Sequence, residues 1–202
     1  GHGRWGKIKS PTRKSRARRA LFEKRDDIRL RLDWLYKLAT IDDYQITDSV
    51  VALSCREIRD RLPVERLAAF LLDTSTIAAY GPQAANAVEY LRQLGLADIR
   101  NDFCRRFLEV FPDSSDRKLD ENQFADKVYG LTHIVISASG YYQQLLDRRE
   151  YAWILDYFSR NQNRLLKRLS VDVIAEVGLC FLLCDDTEHP LVDRCRQKVA
   201  KR

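Results

Sequence analysis

Asp120-Glu-Asn-Gln-Phe-Ala-Asp126-Lys-Val-Tyr129-Gly-Leu-Thr-His133-Ile-Val-Ile-Ser137-Ala-Ser139 is the stretch whose spacing decides the fold. Phe124, Val128, Leu131 and Val135 recur every three or four residues, the repeat that lines up side chains on one stripe of a helix. A strand would need alternation, and none is present. The spacing predicts a helix from about Asp120 to Ser139, interrupted at Gly140.

The same period continues outward in both directions. Leu21, Ile28, Leu32, Leu35 and Ala39 predict one helix from about Ser15 to Ala39. Val51, Ile58 and Leu62 predict a second, starting at Thr47 or Asp48. Pro63 suits the first position of a third, where its missing N–H costs nothing, with Val64, Leu67, Leu71 and Ile77 as its buried stripe. Gly81-Pro82 reads as the end of that helix and the start of the next, which Gly95 caps. Ile99, Phe103, Phe107 and Phe111 place a helix over 96–111. Pro112-Asp-Ser-Ser-Asp116 is the clearest loop, so a sub-domain break is expected near 112–119. Tyr151, Ile154, Leu155 and Phe158 give a helix over 149–163, Ser170 caps one over 171–184, and Pro190 starts a short basic one.

About nine helices with short connections and no hairpin signal specify an all-α chain of antiparallel helical hairpins, arranged as a partial α/α toroid or a helical solenoid. The chain has 202 residues and suits a single helical domain over 20–202. Its longest apolar run, Val177 to Cys184, is far short of the ~20 residues that cross a bilayer, so no membrane span is expected.

The net charge of +6 is unevenly spread. Residues 1–19 carry Arg4, Lys7, Lys9, Arg13, Lys14, Arg16, Arg18 and Arg19 with no acid, and the remainder is slightly acidic. This is a near-neutral domain with a basic arm. Such an arm attracts phosphates, with Trp5 able to stack on a base, or it docks on an acidic surface. With no recognisable binding module, nucleic acid is not the expected partner. The chain starts Gly-His-Gly and contains no Met, which reads as a cloning scar or as the start left by a removed leader. Five cysteines within helical patterns read as reduced core thiols, favouring the cytoplasm; a periplasmic home with one disulfide is the alternative.

Asp126-Lys-Val-Tyr-Gly-Leu-Thr-His133, Ser137-Ala-Ser-Gly-Tyr-Tyr-Gln143, Tyr151-Ala-Trp-Ile-Leu-Asp-Tyr-Phe158 and Asp172-Val-Ile-Ala-Glu176-Val-Gly-Leu-Cys180 together resemble a bacterial family classed as a domain of unknown function. Leu-Thr-His on one helix with Asp-x-x-Ala-Glu on a later one is similar to the helical repeats of α/α-toroid proteins. The resemblance covers about residues 120–190. It implies a helical fold with a cavity, and no particular reaction.

Gly-rich phosphate loops, His-Glu-x-x-His, Cys-x-x-Cys and Gly-x-Ser-x-Gly are all missing, so no cofactor is expected and the commonest nucleotide-dependent and zinc-hydrolase classes are disfavoured. Cys180, Cys184, His189 and Cys195 include good zinc ligands, but an apolar setting and non-standard spacing make them core residues, with no metal expected. The polar residues on apolar helices carry more. Asp126, Tyr129, His133 and Ser137 share one face, and Asp172, Glu176 and Cys180 share another. If the faces meet, His133 stands near the carboxylates of Glu176 and Asp126, a set able to perform acid–base chemistry, with Tyr129, Ser137, Tyr141 and Asp172 placed to hold a ligand. The alternative is that these groups only fix helix packing. The expected function is therefore binding of a ligand or protein partner. The runner-up is a hydrolase or lyase, glycan-acting by analogy with toroids, and the third is weak nucleic-acid binding through the arm.

Overall fold

A computed structural model describes residues 13–201 except Lys24 and Thr47. The stretch holding Arg4, Trp5, Lys7 and Lys9 lies outside the described residues. Ten α-helices follow in order: α1 (Arg13–Phe22), α2 (Asp26–Asp43), α3 (Ser49–Asp60), α4 (Val64–Leu71), α5 (Thr74–Gln93), α6 (Arg100–Val110), α7 (Glu121–Ala138), α8 (Arg148–Arg168), α9 (Val171–Leu183) and α10 (Pro190–Ala200), with a 3-10 helix at Asp113–Lys118. No strand occurs among the described residues, and none of their helices is long and apolar enough to cross a membrane.

The helix boundaries differ from the periodic reading where local chemistry competes with the apolar stripe. The first helix divides at residues 23–25, and Phe22 turns onto the rings of Phe70 and Tyr80. Asp27 lies in the first turn of α2, where the helix dipole favours negative charge. The helix expected from Pro63 starts at Val64 and stops at Leu71, because the Asp73 carboxylate accepts the N–H groups of Ser75 and Thr76 and so begins a new helix. Gly81-Pro82 does not end α5. Pro82 has no N–H for the preceding turn, and the helix bends at Tyr80, whose φ of −138° and ψ of 15° leave the helical region.

Chain reversals follow one recipe. Gly95 (φ +62°) and Gly140 (φ +60°) are left-handed caps. Leu96 N–H reaches back to Leu91 O, and Tyr141 N–H to Ile136 O. This is the Schellman closure that lets a helix stop without orphaned carbonyls. Gln45 (φ +50°) and Asp185 (φ +55°) end α2 and α9 the same way without glycine.

Three helices set the frame. Phe107 of α6 fills the space beside both Gly81 and Gly130, Asn86 meets His133, and Tyr90 meets Tyr141. The pairs 81/130, 86/133 and 90/141 climb together, so α5 and α7 run in the same direction. Thr132 meets Glu176 and Leu146 N–H bonds Leu183 O, so α9 continues the row. The helices α6, α8 and α10 return between them, which makes the hairpins antiparallel. One continuous core extends from Ile28 to Cys195, and Phe111 packs in it and Leu119 against it, on either side of the 3-10 segment. That segment is held down by Lys127, buried between Asp113 and Asp116.

Candidate functional site

The parallel row turns one polar face outward. On α5, Gln83, Asn86 and Tyr90 interrupt a run of buried Ala and Val at spacings of three and four. On α7, Tyr129 and His133 occupy the matching level, and on α9 so does Glu176. Asn86 Oδ1 lies 2.8 Å from His133 Nδ1, and the Tyr129 ring meets the imidazole edge-on at 4.4 Å between centroids. Thr132, next to His133 and fully buried, donates to Glu176 Oε2 at 2.7 Å. Burial raises the Glu176 carboxyl above the usual glutamate range; the Thr132 hydrogen bond pulls it down in part, and Asp172 one turn earlier pushes it up. Tyr129 is raised by burial first and then by Glu176, while Arg18 opposes them. These couplings put Arg18, Glu176 and Asp172 each within electrostatic reach of Tyr129.

Above this face lies a groove of about 710 Å3 between α1, α2 and α5. Arg18 crosses it. Its guanidinium donates to Ala79 O at 3.1 Å, next to the bend at Tyr80, and to Gln83 Oε1 at 2.8 Å. Arg19 and Arg29 line the same groove, balanced by Glu23 and Asp33, and Tyr36, Tyr80 and Tyr90 supply aromatic walls. Asn86 lines the groove and also meets His133, so it links the groove to the α7 face.

The helix–turn after α7 feeds this site with a strained loop. Gly140, Tyr141 and Tyr142 follow one another at φ of +60°, +53° and +76°. Left-handed tyrosines are uncommon, and such strain gathers at functional positions. The Tyr141 hydroxyl bonds that of Tyr90, and the two rings stack at 6.1 Å with Tyr36 5.9 Å beyond. Tyr142 falls under the influence of Glu176, Cys180 and Tyr129.

Of the residues singled out in the sequence, His133 and Tyr129 meet through their rings, Glu176 meets Thr132, which is adjacent to His133 in the chain, Asp172 precedes Glu176 by one turn, and Tyr141 meets Tyr90. Asp126 is half-buried two turns before His133, at the N-terminal end of the face. Ser137 is elsewhere: its hydroxyl donates to His133 O at 2.6 Å and it lines a different cavity, between α5, α6, α7 and α8. The sequence reading missed Arg18, Gln83 and Asn86. The spacing of Gln83, Asn86 and Tyr90 was the available signal, while Arg18 was hidden in a basic run. Cys180, Cys184, His189 and Cys195 are core and cap residues. His189 stacks on Phe181, its Nδ1 takes the Leu191 N–H at the start of α10, and its Nε2 faces Ser159. All five cysteines are free thiols.

A family model described as a domain of unknown function, DUF3541, matches residues 6–202. The chain belongs to this family. No curated protein and no solved structure matches it. The match runs through the described part of α1 and on to α10, so the DUF3541 domain includes the groove, the α7 face and the tyrosine row together.

Proposed function

We propose that this DUF3541 domain is a ligand-binding domain whose site is the groove between α1, α2 and α5 together with the His133 face beneath it. One observation carries the reading: Asn86 lines the groove beside Gln83, which takes the Arg18 guanidinium, and Asn86 also meets His133, so a group that reaches Asn86 is one side chain away from the α7 face. The volume is that of small-molecule sites. Three arginines offset by two carboxylates, with aromatic walls, suit an organic ligand that carries an acidic group on an apolar body.

The test is a fragment screen by NMR on the full chain, using acidic aromatic and aliphatic carboxylates. Binders should shift the Asn86 side-chain amide and the His133 ring and should be lost in Arg18→Glu. Acidic fragments that leave Asn86 and His133 unmoved would overturn the reading.

A second reading is acid–base catalysis, favoured by the raised Glu176 carboxyl within electrostatic reach of Tyr129, whose ring meets His133. A carboxyl biased toward its protonated form is suited to act as a general acid, in a hydrolase or lyase with His133 and Asp126 as further members. Its test is turnover of chromogenic glycosides, expected to vanish in Glu176→Gln.

A further inference from the structure

A second cavity, of about 350 Å3, lies between α5, α6, α7 and α8, away from the groove. It exists because Ala85 on α5 and Ser137 and Ala138 on α7 are small where larger side chains would close it. Two buried polar residues stand in its wall: Glu89 is 5% exposed and Tyr151 7%. Arg92 Nε donates to Glu89 Oε1, and Arg92 Nη2 ion-pairs with the same oxygen. Among the described residues Oε2 receives no hydrogen bond, and the Tyr151 hydroxyl makes none. That hydroxyl is under the influence of Arg100, Glu150 and Glu89, all residues of the same cavity. Neither oxygen is sealed off from open space. Both oxygens open onto the cavity, so a molecule that enters it can supply hydrogen bonds that no side chain of the described residues supplies.

The chemistry of the occupant follows from what surrounds them. The charge of Glu89 is already met by Arg92, and Arg100 lines the cavity, so an organic cation entering here meets a guanidinium and a carboxylate that is already paired. An anion faces Glu89 and Glu150. A neutral molecule with several hydroxyls avoids both conflicts. Glu89 Oε2 and the Tyr151 hydroxyl accept its O–H groups, and Trp153 offers an aromatic surface to its C–H face. We propose that the cavity between α5, α6, α7 and α8 is a binding site for a neutral polyhydroxyl ligand of monosaccharide size. This site is independent of the groove reading, because the two share no lining residue.

Calorimetry and saturation-transfer NMR on the full chain with D-glucose, D-galactose, D-mannose and N-acetylglucosamine test it, with choline and citrate as charged comparisons. At least one sugar is expected to bind with a dissociation constant on the order of 1 mM. Binding should weaken by about 10-fold in Glu89→Gln, the loss expected for one charge-assisted hydrogen bond, and should be unchanged in Arg18→Glu. Arg92 is about one-third exposed, so its guanidinium has water to turn to and Glu89→Gln should fold; Trp153→Ala is the second variant, expected to lose binding through the aromatic wall. The proposal is overturned if none of the four sugars binds, if a sugar binds Glu89→Gln and Trp153→Ala as well as the parent, or if choline or citrate binds in their place.

Discussion

The ammonium of Lys127 lies 2.8 Å from the carboxylate of Asp116, and both side chains are buried. Asp113 adds a second carboxylate oxygen at 2.8 Å, the Tyr157 ring lies 4.3 Å from Nζ, and the Tyr157 hydroxyl donates to Asp116 Oδ2. Arg164 donates to the Asp116 carbonyl. This network ties the 3-10 helix at Asp113–Lys118 to α7 and α8. Its partners leave Lys127 no role at the groove.

Removing one partner of such a pair leaves the other charge buried and uncompensated, at a cost of about 3–5 kcal/mol. Lys127→Met is expected to lose that much in urea unfolding, and Lys127→Met combined with Asp116→Asn to lose less than Lys127→Met alone. A cost below about 1 kcal/mol for the single substitution would show that the pair does not hold the segment.

Gly130 is required by packing. A Cβ at this position would come 2.5 Å from Phe107 Cε2 and 2.6 Å from Cζ, and Phe107 is fully buried. Gly130→Ala is expected to destabilise by about 1–3 kcal/mol through overpacking, despite the better helix propensity of alanine. Phe107→Leu in the same chain should recover part of that loss. An Ala substitution as stable as the parent would mean that α5, α6 and α7 meet differently.

Glu176 gives a pH signature. Its carboxyl is raised in the folded state, burial being the main cause. Between the ordinary glutamate pKa and the raised one, the folded chain holds a proton that the unfolded chain has lost. The group's contribution is therefore most favourable below the ordinary range and is lost as pH rises through the folded value. Glu176→Gln keeps an acceptor for Thr132 and is expected to unfold at a higher temperature than the parent near pH 8, the difference closing near pH 4. A gain that is the same at both pH values would assign it to something other than titration.

Tyr142 is half-exposed and held at φ +76°. Relief of a left-handed side chain, less the extra chain entropy of glycine, makes Tyr142→Gly stabilising by about 0.5–1 kcal/mol. If the strain serves the site, the same substitution weakens binding in the groove. Thermal unfolding beside an NMR titration with the acidic fragments separates the two effects; lower stability with unchanged binding would contradict both.

His133 is half-buried and meets Asn86, which lines the groove. His133→Ala is expected to cost only about 1 kcal/mol of stability, the usual net worth of one such hydrogen bond, while abolishing fragment binding. A loss above about 3 kcal/mol in chemical unfolding would make His133 a packing residue.

Much of the molecule was legible in the order of its residues. Helix identity follows from spacing such as Phe124, Val128, Leu131 and Val135. The left-handed stops at Gly95 and Gly140 follow from backbone sterics that act locally, whatever the rest of the chain does. The helix starts at Asp48 and Pro190 are local in the same sense. The meeting of Thr132, adjacent to His133, with Glu176 could be anticipated only as a condition, that two helix faces meet. Whether they meet depends on α5, α7 and α9 running the same way in register, and that is set by contacts such as Phe107 against Gly81 and Gly130, between residues far apart in the chain. Lys127 shows the limit most clearly. A lysine in an amphipathic helix reads as a surface residue, because its charge is costly to bury unless partners are supplied. The partners, Asp113, Asp116 and Tyr157, come from other elements, so its burial was decided by the tertiary structure. The two unpaired oxygens of Glu89 and Tyr151 were decided in the same way, because a cavity is the space that four packed helices fail to fill and no single stretch of sequence contains it.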